Sequence, residues 1–422
     1  MSTINRLLDP IVVPKVVKVK QTFERPVIHD VLGEFKSRLA AKSVMSQIKP
    51  GQKIAVAVGS RGISNLPEMV KILVHEIKKA GAEPFIVPAM GSHGSATAEG
   101  QRNMLIGLGY TEEYVGAPIK ATMETVQVGV SANGFPVFFD KYAYEADGTV
   151  FINRIKPHVA FRGPYESGLM KFITIGLGKQ KGADICHDLG FGKMAENIPA
   201  MAKVSLAKTN ILFAVGLVEN AYHETCRIEV LKNSEIVETE PSLQAEAKRL
   251  CPKIYFDKFD VLILDEIGKD ISGSGYDTNI VGRYHTPFCT GGPDITRIAV
   301  LDVTNHSHGN ANGVGILDFT TKRLFDKFSF EDTYPNALTS TVPTSVKMPM
   351  VLKNDKQVFQ ACIKTCNRLD KENVTLIRVK NTLSLGEIEI SENLIPLARE
   401  NQFLEIVSEP YDLPFDDKGN LL

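Results

Sequence analysis

KIAVAVGSRGISNLPEMVKILVHEIKKAGAEPFIVPAMGSHGS, residues 53–95, decides the fold. KIAVAV is an apolar run that stops at the turn Gly59-Ser60-Arg61-Gly62. PEMVKILVHEIKKAG follows, with Met69, Ile72, Leu73, Glu76 and Ile77 at helical spacing and Gly81 as its stop. EPFIVP is a second apolar run, and it too ends in a glycine-rich turn. Strand, helix and strand in that order form the unit from which parallel sheets are built. Ligands of open α/β sheets gather beyond the carboxyl ends of the strands. Arg61 and His93 both fall there. His75, inside the helical run, reads as helix surface or core.

Working outward, GTVFINRIKPH (148–158) is a strand entering a loop that carries His158. FITIGLGKQKGADICHDLGFG then passes Gly176, Gly178 and Gly182 on the way to His187. AKTNILFAVGLVEN and ETCRIEVLKNSEIVE read as antiparallel strands with a turn at Lys232-Asn233-Ser234, and PSLQAEAKRLCPKI as an exposed helix. FDVLILDEIG (259–268) opens a second unit, with RIAVLDVT and VTLIRVKN as further strands. The expected architecture is therefore two α/β domains with mainly parallel sheets, 1–255 and 256–422, with a cleft between them. The tail ISENLIPLARENQFLEIV has helical spacing and could pack back on either domain.

With 422 residues, two domains is also the simplest reading of length. Forty-eight basic and 49 acidic residues give a formal charge of −1 with no basic block, which argues against a nucleic-acid binder working by counterion release. The 43% hydrophobic and 23% charged content excludes a disordered chain. No apolar run approaches the roughly 18–20 residues of a membrane span. Prolines interrupt MSTINRLLDPIVVPKV where a signal peptide needs a continuous apolar region, so a cytoplasmic location is expected. The six cysteines are scattered and contain no CxxC pair, and they read as reduced, buried or half-buried thiols.

Three kinds of chemistry compete for the polar residues. GLGKQKG (176–182) and GSGYDTNIVG (273–282) are glycine-rich, but neither is a clean GxGxxG or GxxxxGK[ST] phosphate loop. There is no HExxH or finger-spaced His and Cys set, so a closed zinc site is not expected, and His306 and His308 in NHSHGN read first as a polar loop. Arg61, His93, His158, Lys171 and His187 form a dispersed set. Four of these lie in turns after strands or rich in Gly, Ser or Pro, where catalytic groups concentrate.

At these residues the sequence resembles the nickel-dependent lactate racemase family, over most of residues 10–225. The resemblance is carried by VGSRGISNLPEMVK, VPAMGSHGSATAEG and FINRIKPHVAFRGPYESGLMKFITIGLGKQKGADICH. It implies a nickel-pincer nucleotide attached to Lys171 through a thioamide, with His187 as the protein's ligand to nickel. It further implies His93 and His158 as paired acid/base groups and Arg61 as the anchor of the substrate carboxylate. The implied reaction is racemisation or C2 epimerisation of a 2-hydroxy acid by hydride transfer to and from the cofactor. Gly176, Gly178 and Lys179 are candidates for holding the nucleotide phosphate, since backbone N–H groups and a cation suit an anion. Partners would be the small-molecule substrate and the proteins that build the cofactor.

The chain departs from the family pattern at particular places. Val58 stands where those racemases have an acid shortly before the arginine, and Gly94 follows the GSH turn where they have Arg. The loop VAFRGPYESGLM carries Arg162, Tyr165 and Glu166 in place of a glycine-rich loop, and no QxxK helix is recognisable in the C-terminal half. That half instead has EIGKDISGSGYDTNIVGRYHT and DVTNHSHGNANGVG. Asn279, Arg283, His306 and His308 there are expected to meet substrate hydroxyls. So polar a set suits an aldonate such as gluconate better than lactate, because buried polar groups left unpaired penalise small substrates. Readings that compete with this one are a lactate or other short-acid racemase, a nicotinamide oxidoreductase, and a non-catalytic carrier of the nickel nucleotide.

Overall fold

The computed structural model describes residues 2–422, which divide into two compact units, one of them Glu24–Cys251 and the other Pro252–Leu422 together with the chain up to Phe23. In the first unit the strands run Glu83–Pro88, Lys53–Val58, Gly148–Arg154, Ile211–Glu219 and Thr225–Lys232 across one sheet. The first four are parallel and the last is antiparallel to its neighbour. Lys53–Val58, from which the fold was read, lies between the other two strands of the site. Its register pairs Ala55 with Phe85 on one side and with Thr149 on the other.

The helix Leu66–Lys79 forms as its spacing demands. Met69, Val70, Leu73, Val74 and Ile77 are buried on one face against Ile54, Val56 and Ile86 of the sheet. Pro67 fits the first turn, where no N–H partner is needed, and Lys78 and Lys79 lie at the negative end of the helix dipole. Gly81, at φ +81°, lets the chain turn back into the next strand. His75 is exposed on the outer face.

Two sequence expectations change. The segment after Lys232 is not a returning strand: a short turn at Asn233–Glu235 leads directly into the helix Ile236–Arg249. That helix is not merely an exposed one, for Glu240, Leu243, Gln244 and Ala247 are buried beneath it. An apolar alternation of only a few residues cannot separate a strand from a helical first turn, which explains the misreading.

The second unit holds an eight-stranded sheet in the order Met350–Leu352, Phe319–Thr321, Asp294–Val303, Lys258–Ile267, Leu376–Val379, Glu387–Ser391, Val16–Gln21 and Leu404–Ile406. The first five are parallel and the remainder pair antiparallel. Residues before Glu24 therefore fold with the C-terminal part, not with 24–251. The tail helix Ile395–Glu400 also belongs here, its Ala398 buried in this unit's core.

All six cysteines are free thiols, and among the described residues no helix is long and apolar enough to cross a membrane.

Candidate active site

Three parallel strands of the first unit deliver the site. Beyond Lys53–Val58, Gly59 packs so closely on Phe172 that a Cβ there would meet its ring at 3.3 Å. Ser60 follows, its Oγ 2.5 Å from His93 Nδ1, which ties this loop to the one after the neighbouring strand. Arg61 comes next, exposed, with Nη1 donating to the Ser60 carbonyl at 3.3 Å.

The turn after Glu83–Pro88 is braced from below. Gly91, at φ +60°, donates its N–H to the Gly176 carbonyl at 3.2 Å. Fully buried Gln101 donates to the carbonyls of Gly91 and His93 at 2.9 and 3.1 Å. Its own oxygen accepts from Lys179 Nζ, which also donates to the Pro88 carbonyl at 2.8 Å and stands 3.5 Å from Asp140. Lys179, expected to meet a phosphate, is thus fully buried with its amine spent on interior oxygens. It acts on His93 through Gln101. Gly176 and Gly178 are demanded by packing: a Cβ would stand 2.9 Å from the Ala89 carbonyl oxygen at the first and 2.1 Å from that of Thr174 at the second.

The strand Gly148–Arg154 feeds the loop that carries His158. Its organising group is Glu166, a fully buried carboxylate that accepts the His158 N–H at 2.7 Å, the Gly163 N–H at 3.1 Å and Lys248 Nζ at 2.5 Å. Arg162 Nη1 donates to the His158 carbonyl at 2.8 Å, and the Ala160 N–H donates to His158 Nδ1 at 3.1 Å. The imidazole lies against Phe161, centroids 4.5 Å apart. Phe191 then stands between two histidines, 5.9 Å from the ring of His158 and 5.8 Å from that of His187.

Lys171 ends one helical turn, Leu169–Lys171, beyond which the chain widens into a π-turn over Phe172–Gly176, closed by Leu177 N–H donating to the Phe172 carbonyl at 2.9 Å. Such widened turns recur at functional sites. The turn is fixed from behind by Glu240, whose Oε2 accepts the Met170 N–H at 2.8 Å. Burial lifts that carboxyl to about 8. Among the described residues no hydrogen bond or ion pair reaches Lys171 Nζ. Desolvation first, and the charge of Arg61 second, bring the amine down to about 8.

His187 sits on the helix Lys179–Asp188, its Nδ1 2.7 Å from the Ala183 carbonyl. That oxygen can only accept, so Nδ1 carries the proton and the lone pair is on Nε2. Burial pushes the imidazole pKa down, which keeps it neutral. The neighbouring Cys186 thiol is pushed up to about 12 and is inert.

Arg61, His93, Lys171 and His187 are thereby joined through Ser60, Phe172 and mutual charge, and His158 joins through Phe191. Ser60, Glu166, Glu240, Gln101 and Phe191 were not singled out as functional from the sequence, although Glu166 was noticed as a departure in its loop. The signal for Ser60 lay beside Arg61 in GSRG, but which hydroxyl faces which histidine depends on two loops distant in sequence.

In the second unit, Asn279 follows Asp277, which caps the short helix Thr278–Val281 and accepts from Asn279 Nδ2 at 2.7 Å. Arg283 has Nη1 on Asp318 at 2.6 Å and Nη2 on the carbonyls of Ile295 and Thr296, both at 3.2 Å. A bidentate clamp on a substrate carboxylate would need those same donors. His306 and His308 are exposed, His308 at φ +49°.

Residues 10–197 match the lactate racemase N-terminal domain family. Among solved structures the chain is similar to the lactate racemase apoprotein from Thermoanaerobacterium thermosaccharolyticum, at 14% identity and a TM-score of 0.54, over 88% of this chain and 99% of that one. No curated protein matches it. Residues 10–197 thus carry the pattern of a lactate racemase N-terminal domain, and the chain shares its fold with that solved structure.

Proposed function

We propose that this protein is a racemase or C2-epimerase of 2-hydroxy acids that works with a nickel-pincer nucleotide held covalently on Lys171. The observation that carries the reading is Lys171 itself. A half-buried amine with no hydrogen-bond or ion-pair partner among the described residues, brought to about 8 beside Arg61, has the properties of a nucleophile kept ready for covalent attachment.

The residues present fit such a group. Among the described residues no cluster of three or more His, Cys, Asp or Glu could hold a metal ion, so nickel here would need donors brought by the cofactor. His187, neutral and with its lone pair on Nε2, would be the side chain that holds the nickel. When bound, the nucleotide supplies a hydride acceptor and donor, which no side chain can provide. The chain's own residues do the rest. Arg61 binds the substrate carboxylate through its guanidinium fork. His93 and His158 exchange the hydroxyl proton. Phe161, Phe191 and Phe172 wall the site and exclude water.

For substrate we favour a longer polar acid of the aldonate type over lactate. The exposed His306 and His308 stand in the polar stretch NHSHGN, suited to pairing hydroxyls, whereas Asn279 and Arg283 are left out because their donors are engaged at home on Asp277 and Asp318. Intact mass of protein made alongside the cofactor's biosynthetic enzymes tests the central claim. An adduct lost in Lys171→Ala, with about one nickel per chain, is expected; active enzyme without it refutes the reading. Chiral analysis over a panel of 2-hydroxy acids sets the substrate, and turnover of lactate without aldonates removes the aldonate preference.

A further inference from the structure

A guanidinium meant for a substrate carboxylate must not be satisfied by the protein's own. Among the described residues no carboxylate pairs with Arg61, whose Nη1 donates to the Ser60 carbonyl. A carboxylate does stand at this end of the sheet: Glu219, the last residue of the strand Ile211–Glu219. It is turned to two other groups. Oε1 accepts at 3.1 Å the N–H of Ser64, in the loop of Arg61, and Oε2 accepts from Arg154 Nη1. The Glu219 side chain is 6% exposed and that of Arg154 22%, so salt screens this pair little. Asn220 fixes the turn that follows, its Oδ1 accepting the N–H groups of Tyr222 and Glu224 at 2.9 and 3.1 Å and its Nδ2 donating to the Pro26 carbonyl at 2.9 Å.

Register makes Arg154 a neighbour of Arg61. Ala57 pairs with Phe151 across the parallel strands Lys53–Val58 and Gly148–Arg154, which brings Arg154 level with the start of the loop that carries Arg61. On its other side Arg154 pairs with Leu217, shortly before Glu219. Adjacent strands lie about 4.8 Å apart, within the span of an arginine side chain. Arg61 reaches solvent yet is crowded by the walls around it; that desolvation first, and the charge of Arg154 second, lower its pKa.

We infer that Glu219 is a specificity-determining residue: by engaging Arg154 and the Ser64 amide it leaves Arg61 alone to receive an anion, so the site takes 2-hydroxy acids with one carboxylate and turns away those with two. A second carboxylate near Arg61 meets a guanidinium already neutralised and, beside it, the like charge of Glu219. Rejection of a competitor is commonly built from such repulsion. Without Glu219, Arg154 and Arg61 would be two guanidinium forks suited to two carboxylates. The inference rests on the racemase reading for its substrate class, and it fits an aldonate, which has a single carboxylate.

Its test needs no turnover. In full-length cofactor-free protein, a carboxylate on Arg61 offsets the charge that, after burial, lowers the Lys171 amine, and so slows amine-selective labelling of Lys171. Gluconate and malate serve as probes with one and two carboxylates, and the concentration of each that halves the labelling rate is compared. Wild-type protein should need about tenfold more malate than gluconate. Glu219→Gln, which keeps an oxygen for the Ser64 N–H, should bring the two concentrations together, and adding Arg154→Met should take that gain of malate away.

A wild type that binds malate as well as gluconate overturns the inference without any variant. An unchanged ratio in Glu219→Gln, a gain that survives Arg154→Met, or protection by neither acid does the same. Should the wild type show the expected preference but turn over no 2-hydroxy acid and carry no adduct on Lys171 when made with the cofactor's biosynthetic enzymes, the racemase reading alone falls.

Discussion

Lys171 shows how a single residue acquires its chemistry from two distant ones. Its amine is desolvated by burial and repelled by Arg61, which follows the end of another strand. Amine-selective labelling of Lys171, followed by mass spectrometry against pH, should titrate near 8 in the cofactor-free protein. Arg61→Met removes the neighbouring positive charge, so the midpoint should move up toward the ordinary lysine value, whereas Arg61→Lys should leave it close to 8. An unchanged midpoint in Arg61→Met would separate the two side chains and undo the electrostatic argument. The identity of these residues was legible in the sequence because each stands in a short, unusual motif. Their partners were not, because Ser60 next to His93 and Glu240 behind Met170 are contacts across strands, which no local spacing encodes.

At the scale of elements, the site depends on two buried carboxylates that do opposite things. Glu166 is a hub of donors: Lys248, Arg162 and two backbone amides all point to it, and together they close the loop from His158 to Glu166. Glu166→Ala should destabilise the protein by about 1–3 kcal/mol, the scale of a buried donor left without its acceptor. It should also speed amide hydrogen exchange at His158 and Gly163 and lower kcat. Unchanged exchange at those two amides would show that the loop is held by other means.

Glu240 is held differently. It has only backbone amides for company and its carboxyl is raised to about 8 from 4.5. Between those two values the folded protein keeps a proton that the unfolded chain has lost, so stability falls as pH rises from 4.5 to 8 and then levels. Glu240→Gln should flatten this part of the profile, so that melting temperatures at pH 5 and pH 8 draw together compared with the wild type. Elements themselves were read correctly where an apolar period ran long, as in Leu66–Lys79 and Lys258–Ile267. Ile236–Arg249 was misread at its start because only Ile236 and Val237 are apolar after the polar turn Asn233–Glu235, and the tertiary burial of Glu240 decided its face.

For the whole molecule, the least legible feature is the path of the first residues. Composition and length divide the chain once, near residue 255, but the chain is divided twice, since residues before Glu24 return to the C-terminal unit. Val16–Gln21 has the alternating pattern of a strand, and nothing in that pattern says which sheet receives it. The answer lies in register: Val17 pairs with Ile390 and Val19 with Ile388 on one side, while Val19 and Lys20 pair with Ile406 and Glu405 on the other. This strand is therefore interior, with Val16, Val17 and Val19 wholly buried. Removing it would leave two neighbours with unsatisfied backbone groups and strip three apolar side chains from the core, each worth about 1.5–3 kcal/mol when fully buried. Deletion of residues 2–21 should consequently unfold the unit of Pro252–Leu422 while sparing that of Glu24–Cys251. Hydrogen exchange resolved by peptide would show this as lost protection in 258–267, 376–379 and 387–391 with protection kept in 53–58 and 148–154. Loss confined instead to 53–58 and 148–154 would mean that the first strand serves the unit that follows it in sequence, and the division of the chain would have to be redrawn.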